Sequence, residues 1–391
     1  MYRIKTLNAI SNVIREVLDG RYEIDGGGDQ PQAILVRSAS MHEMDLPDSL
    51  LSVARAGAGV NNIPVERCTE KGVCVFNTPG ANANAVSELV VAGLLLASRD
   101  VLAGAQWALS LRGEGEQVEK QVEKGKGRFA GPEIRGKTLG VIGLGAIGAK
   151  VANAADALGM RVLGYDPLIS VEHAWTLSRT VARAGSVEQI FQQCDYISLH
   201  VPLVDATRRL VDGRLLAMAR PGVRLLNFAR AGLVDTPALL AALAEGRVAR
   251  YVTDFPTDEL LGVENVLCIP HLGASTPESE ENCARMAAEQ TRDYLECGAI
   301  RNSVNLPDVA LAPLSKPRLC VIHRNVPNAL GAITSAVASY GINISDLINR
   351  SRGGTAVSVL DLDEVPDGAV DTLPRRIAEL NGTIRVRLLG V

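Results

Sequence analysis

Three short segments carry side chains suited to proton and carboxylate chemistry: Asn227-Phe228-Ala229-Arg230, Thr253-Asp254-Phe255-Pro256 and Pro270-His271-Leu272-Gly273. A guanidinium grips a carboxylate through two parallel hydrogen bonds. An imidazole exchanges a proton near neutral pH, and a neighbouring carboxylate favours its charged form. The set suits a reaction that holds a small acid by its carboxylate and moves the proton of an adjacent hydroxyl. Each segment follows a short apolar run that reads as a β-strand. In an open parallel sheet ligands gather beyond the carboxyl ends of the strands, so residues distant in sequence converge there.

A fourth segment, Gly143-Leu144-Gly145-Ala146-Ile147-Gly148, has the spacing G-x-G-x-x-G. The apolar strand 138–142 precedes it. The helix that follows carries Ile147, Val151, Ala154, Ala155 and Leu158 on one face, and Gly159 ends it. Gly143 permits the tight turn, Gly145 opens backbone N–H groups to a pyrophosphate, and Gly148 lets the helix lie close to the strand. Asp166 closes the next strand, 18 residues after Gly148. Its carboxylate suits the ribose hydroxyls of NAD and repels the 2′-phosphate of NADP.

The elements that must position these residues alternate in type. Strands read at 33–36, 51–54 and 73–76, with helices at 10–18 and 65–71 between them, a βαβ rhythm that implies parallel pairing. A long helix is expected from Asn84 to about Ala108. Residues 112–131, rich in Glu, Lys and Gly, read as a solvated helical connection; the sharper alternative has Lys124, Lys126 or Arg128 folding over a phosphate. A second series places strands at 138–142, 161–165, 196–200, 224–228, 251–254 and 266–269, and a long helix at 277–297. Pro307, Pro313 and Pro317 mark a linker. From 318 the order βαββαβ predicts a separate ferredoxin-like module.

Composition narrows the function class. With 40 basic and 44 acidic residues, the net charge of −4 gives no general field for nucleic acid or a membrane surface. The seven cysteines are scattered singly without metal spacing and predict reduced thiols. The longest apolar stretch, residues 89–97, is far short of a membrane span, and the amino terminus lacks a signal-peptide core. A cytoplasmic protein is expected. His42, His173 and His200 are read as structural.

The strings R-A-G-A-G-V at 55–60, N-T-P at 77–79, G-L-G-A-I-G at 143–148, N-F-A-R-A-G-L-V-D at 227–235 and P-H-L-G-A-S-T at 270–276 resemble the D-isomer-specific 2-hydroxyacid dehydrogenases. They follow that family's order along essentially the whole chain. The resemblance implies a Rossmann-type doubly wound parallel nucleotide-binding domain (91–282), inserted in a flavodoxin-like substrate domain (1–90 and 283–305). A linker (306–317) and a ferredoxin-like βαββαβ ACT domain (318–391) then follow. It implies that Arg230 binds the substrate carboxylate and that His271 is the acid/base, with a Glu orienting it. Five steps from Asp254 that Glu is Glu259, followed by Leu260 where the family has Pro; Asp258 and Glu264 are rivals. Ala231 and Asn61 depart from the family's Gly and Asp.

Gly143, Gly145, Ala146, Ile147, Gly148, Asp166, Val201, Phe228, Ala229, Arg230, Asp254, Gly273 and Ala274 are then the NAD-binding set, with Asp254 holding the nicotinamide carboxamide. Arg37, Ser38, Arg55, Ala58, Gly59 and Asn77 face the substrate with Arg230 and His271. The implied reaction is NAD-dependent oxidation of 3-phospho-D-glycerate to 3-phosphohydroxypyruvate, the first step of L-serine biosynthesis, in a homodimer or homotetramer. His323, Asn325 and Asn343 are the implied contacts of an L-serine effector. The alternatives are another 2-hydroxy acid (glycerate, lactate or 2-hydroxyglutarate) and a non-catalytic NAD-dependent sensor. Asn328, where the family prefers Gly, is expected to adopt unusual backbone angles.

Overall fold

The structure, a computed structural model, describes residues 1–26 and 30–391. They form two compact units, Met1–Ala81 with Glu280–Val391, and Asn82–Ser279.

In the first unit the strands are β1 (Tyr2–Leu7), β2 (Tyr22–Ile24), β3 (Ala33–Val36), β4 (Ser52–Arg55) and β5 (Cys74–Phe76), with helices α1 (Ile14–Val17) and α2 (Val65–Glu70) between them. All pairings are parallel in the order β2-β1-β3-β4-β5, the flavodoxin-like winding. The sequence reading found β3, β4 and β5 and missed β1 and β2. In β1, Arg3 and Lys5 interrupt the apolar run and only Ile4 is buried, so the strand carries too little hydrophobic signal to register.

The second unit opens with α3 (Ala83–Ser98) and α4 (Val101–Ser110). The single helix expected across this stretch is broken: Arg99 is extended, with φ −129° and ψ 144°. Asp100 accepts the Gly104 N–H through its carbonyl at 2.9 Å, and its carboxylate pairs with Arg250 at 2.9 Å. Helix α5 (Gln117–Gly125) has no buried residue, as a solvated connection requires. Beyond it run β6 (Thr138–Ile142), α6 (Ala146–Ala157), β7 (Arg161–Tyr165), α7 (Val171–Thr176), β8 (Ala182–Arg183), α8 (Val187–Gln193) and β9 (Tyr196–Leu199). Next come α9 (Gly213–Met218), β10 (Val223–Asn227), α10 (Thr236–Ala244), β11 (Val248–Thr253) and β12 (Val266–Cys268). The seven strands are parallel in the order β12-β11-β10-β9-β6-β7-β8. The order reverses between β6 and β9, where a doubly wound sheet opens its ligand crevice. Gly93 lets α3 lie against this sheet, since a Cβ there would stand 2.8 Å from the Phe228 ring.

Helix α11 (Pro277–Cys297) leads to β13 (Arg318–Arg324), α12 (Ala329–Ser339), β14 (Ile344–Arg352), β15 (Thr355–Leu362), α13 (Asp367–Val370), α14 (Thr372–Ala378) and β16 (Thr383–Leu389). The antiparallel order β14-β15-β13-β16 is the expected βαββαβ arrangement. Asn328 adopts φ 64°, the left-handed conformation expected where the family prefers Gly.

This module is not set apart by a free tether, as the three prolines suggested. Leu306 and Val309 are buried, and Ile300 and Val309 form a β-bridge. One sheet face packs on α12 and α14 through Leu319, Val321 and Leu360. The other carries Cys320, Ile322, Val357 and Val359 into a core shared with Ala284, Ala287 and Tyr294 of α11. Arg385 donates to Lys71 O and Asp48 O, Arg387 to Tyr294 O and Leu295 O, and Arg352 to Ser303 O. Module and flavodoxin-like sheet therefore form one unit.

Within the second unit His200 sits at the carboxyl end of β9, its Nε2 2.8 Å from Ser198 Oγ. Burial pulls its pKa down to about 4, so the folded state holds a neutral ring. As pH falls below about 6.5 the unfolded chain takes up a proton that the folded chain refuses. Folding stability attributable to His200 is therefore full above pH 6.5 and lost as the pH falls toward 4, by roughly 2–3 kcal/mol. Denaturant unfolding of the protein and of His200→Gln across pH 4–7 reads this out; equal pH slopes would overturn it.

Candidate active site

The glycine turn is built by close contacts that admit no side chain. Gly143 has φ 92°, and a Cβ there would lie 2.5 Å from the His200 carbonyl oxygen. A Cβ on Gly148 would lie 1.9 Å from the carbonyl oxygen of Gly143. Gly145, by contrast, faces open space. It precedes α6, whose amino terminus has no side-chain cap, so the first amides of a 12-residue helix remain available to an anion. Asp166 closes β7 as expected. Its Oδ2 accepts the Leu144 N–H at 2.8 Å and its Oδ1 the Leu168 N–H at 2.9 Å. Each oxygen keeps a lone pair for a further donor.

The ends of β10 and β11 are tied by a buried polar network. Thr253 Oγ1 donates to Asn227 O at 2.9 Å, and Asn227 Nδ2 donates to Tyr251 OH at 3.2 Å and to Arg230 O at 2.9 Å. Asn227 Oδ1 accepts the amides of Ala229 and Arg230 at 3.2 and 3.3 Å. Phe228 is buried, Ala229 half-buried and the Arg230 side chain exposed. The network thus fixes the turn that presents Arg230 and the strand end that presents Asp254. Asn227 and Thr253 open two of the segments read as chemical; sequence alone assigned them no positioning role.

Asp254 is 1% exposed, and its Oδ1 has no hydrogen-bond partner. Burial pushes its carboxyl above the usual carboxylate range, while the charges of His271 and Arg230 pull the other way. These three groups, far apart in sequence, share one electrostatic neighbourhood. Gly273 lies over Asp254, since a Cβ there would stand 3.6 Å from Asp254 Oδ2 and 3.2 Å from Val86. Val201 borders the turn, its Cγ1 2.9 Å from where a Gly143 Cβ would be. An orphaned buried carboxylate oxygen at the same strand-end edge of the sheet as the glycine turn fits an amide-bearing nucleotide cofactor, whose carboxamide N–H would satisfy it.

The structure does not bring Glu259 to His271. Glu259, Asp258 and Glu264 are all exposed, and among the described residues no hydrogen bond joins any of them to the imidazole. The amides of Leu260 and Leu261 donate to Thr257 O at 3.0 and 3.1 Å, and buried Leu260 anchors that turn. His271 instead packs on Phe255, with ring centroids 4.7 Å apart, and Asp254 is the carboxylate whose ionisation it affects.

The first unit carries the residues expected to face substrate. Arg37, half-exposed at the end of β3, pairs with Glu280. Arg55 clamps the loop: Nε donates to Arg37 O at 2.9 Å and Nη1 to Gly59 O. Asn77 Nδ2 donates to Ala58 O at 2.6 Å, and the Ser38 amide donates to Asn8 Oδ1 at 3.3 Å. His323, an expected effector contact, lies inside the carboxy-terminal sheet. It is 3% exposed, with Nδ1 2.9 Å from Arg324 O and Nε2 2.9 Å from Ser358 Oγ. Both nitrogens are engaged inside the sheet. Asn325 and Asn343 are exposed, the latter donating to Asp363 at 2.6 Å.

No helix among the described residues is long and apolar enough to cross a membrane. Residues 106–273 match the family model of the D-isomer specific 2-hydroxyacid dehydrogenase, NAD binding domain. The chain is 36% identical over 324 residues to the D-3-phosphoglycerate dehydrogenase of Methanocaldococcus jannaschii, covering 81% of this chain and 59% of that protein. It therefore spans less than two thirds of that relative's length. It is 30% identical over 373 residues to a putative D-3-phosphoglycerate dehydrogenase of Schizosaccharomyces pombe, covering 88% of this chain and 76% of that one. An NAD+-bound 3-phosphoglycerate dehydrogenase structure from Entamoeba histolytica superposes with a TM-score of 0.58 at 25% identity, covering 78% of this chain and 98% of that one. The glycine turn, the Arg230–Asp254–His271 grouping and these likenesses agree, and the chain belongs to the D-isomer specific 2-hydroxyacid dehydrogenase family.

Proposed function

We propose that this protein is an NAD-dependent D-3-phosphoglycerate dehydrogenase, oxidising 3-phospho-D-glycerate to 3-phosphohydroxypyruvate at the head of L-serine biosynthesis. The observation that carries the chemistry is the buried carboxylate of Asp254, its Oδ1 without a hydrogen-bond partner, in electrostatic reach of both His271 and Arg230. The names of the relatives carry the choice of substrate.

NAD, when bound, supplies the hydride acceptor. The open amides at the start of α6 receive the pyrophosphate, Asp166 the adenosine ribose, and Asp254 Oδ1 the carboxamide. Arg230 holds the substrate carboxylate through its planar fork and fixes which face of C2 is presented. His271 takes the C2 hydroxyl proton on its imidazole as the C2–H bond breaks. Asp254 favours the resulting imidazolium. In the reverse direction the same imidazolium returns the proton.

Removing the imidazole in His271→Ala lowers kcat by about 10²–10⁴-fold while leaving NADH affinity within about threefold; full retention of turnover would refute the assignment. Charge removal separates the carboxylates: Asp254→Asn lowers kcat/KM at least about tenfold, whereas Glu259→Gln stays within about threefold. The reverse ranking would return the role to Glu259.

The substrate phosphate calls for a cation, and Arg37 is the candidate, with Ser38 and the Arg55-clamped loop beside it. Because Arg37 already pairs with Glu280 and Arg55 with carbonyls, a non-phosphorylated 2-hydroxy acid is the second reading. Comparing kcat/KM for 3-phospho-D-glycerate with glycerate, lactate and 2-hydroxyglutarate decides between them; a preference for any unphosphorylated acid favours the latter.

The carboxy-terminal module is read as an ACT domain that takes L-serine through Asn325 and Asn343. Its βαββαβ order and the two exposed amides support that reading. Millimolar serine is expected to lower the initial rate, and Asn343→Ala to abolish the effect; an unchanged rate in the unsubstituted protein rules the effector out.

A further inference from the structure

The second unit holds a cavity of about 310 Å³ at the edge of the sheet where strands begin, opposite the edge that carries Asp166, Arg230 and Asp254. Its wall takes Lys137 from just before β6, Asp195 from just before β9, the turn Arg220–Arg224 entering β10, and Ala249 of β11. Pro132 and Pro221 stiffen the rim. Three cations and one carboxylate line it, a net charge of +2 by that count.

The one carboxylate is already committed. Asp195 Oδ2 accepts the Thr138 N–H at 2.8 Å, and Oδ1 pairs with Arg220 at 3.1 Å. Arg224 is held from behind: Nε donates to Ala97 O in the last turn of α3 at 2.9 Å, Nη1 makes a long contact of 3.4 Å to Gly222 O, and its guanidinium lies 5.4 Å from the centre of the Tyr196 ring. That leaves Nη2 uncommitted. Among the described residues no hydrogen bond or ion pair reaches Lys137 Nζ. The half-buried Lys137 and Arg224 thus line this concavity and keep donors to spare.

We infer that this cavity binds a small phosphate-bearing anion at a site separate from the cofactor and substrate sites. A guanidinium edge and an ammonium suit the several oxygens of a tetrahedral dianion. The volume lies at the lower end of small-molecule sites, about 300–1,000 Å³, enough for a phosphate ester of a few carbons and too small for a dinucleotide. Because Arg224 also caps α3, a bound anion links the strand-beginning edge to the helix that opens this unit.

Calorimetric titration of the full chain with inorganic phosphate, at saturating NADH and constant ionic strength, tests the assignment. Wild type is expected to show a phosphate site with Kd in the range of about 0.1–10 mM, by affinity arithmetic for two or three charge-assisted contacts. Arg230→Gln and Arg37→Gln keep this site, which separates it from phosphate held at the substrate residues. Lys137→Glu weakens it at least about tenfold and leaves NADH affinity unchanged. Lys137→Gln, which introduces no new charge, weakens it by a smaller factor and guards against misfolding as the cause. Equal affinity and stoichiometry in wild type and both Lys137 variants would overturn the site, as would absence of phosphate binding at about 20 mM.

Discussion

No side chain can exist at position 148. A single Cβ there would occupy the space of the Gly143 carbonyl oxygen, 1.9 Å away, and avoiding it would lift α6 off the end of β6. That lift would move the open amides at the start of α6 away from the strand edge and loosen the link from Leu144 N to Asp166. Gly143 is bound the same way from the other side, against the His200 carbonyl. The cofactor cradle is therefore an outcome of packing before it is an outcome of chemistry. Two missing side chains set the distance between helix and sheet, and that distance leaves helix amides facing outward with no cap of their own.

The neighbouring strand ends follow a different rule. At β10 and β11 the side chains are large and polar, and Asn227, Tyr251 and Thr253 satisfy one another almost completely. Against that background the unpartnered Oδ1 of Asp254 stands out. Leaving a buried acceptor unmet costs on the order of 1–3 kcal/mol, and the surrounding network is rigid enough to keep the carboxylate from turning elsewhere. A nearly satisfied network next to one unpartnered carboxylate oxygen is the pattern of a pre-organised site, in which a ligand completes what the protein leaves open.

Legibility in the sequence tracked how local the determining physics was. The strands β3, β6 and β7 and the helix α11 matched the reading residue for residue, because an apolar run bounded by turn residues needs no distant partner to be recognised. Strand β1 was missed because its burial comes from neighbours in the sheet and not from its own composition. The break between α3 and α4 was invisible because the Asp100–Arg250 pair spans 150 positions. Glu259 was found by counting from Asp254, and a count along the chain does not register that Leu260, in place of proline, is buried while the Glu259 side chain is exposed. His323 was assigned by likeness, and likeness does not register that Ser358, 35 residues on, meets one of its ring nitrogens.

The carboxy-terminal module shows the same limit at the scale of a domain. Its βαββαβ order was readable, since each element is local; its autonomy was not. Strands β13 and β15 alternate apolar residues on both faces, Leu319 and Val321 toward α12 and α14, Cys320 and Ile322 toward α11. A sheet with two apolar faces and helices for only one of them must cover the other. Here the flavodoxin-like part of the chain supplies the cover, and Gly72 permits the approach, since a Cβ there would stand 2.8 Å from the Cβ of Arg385. The arginines that follow the strands outward, Arg352, Arg385 and Arg387, then bind backbone carbonyls instead of carboxylates. Such contacts depend on the course of the main chain and hardly on the residue types they meet, which is why neither charge pattern nor hydrophobic period announced them.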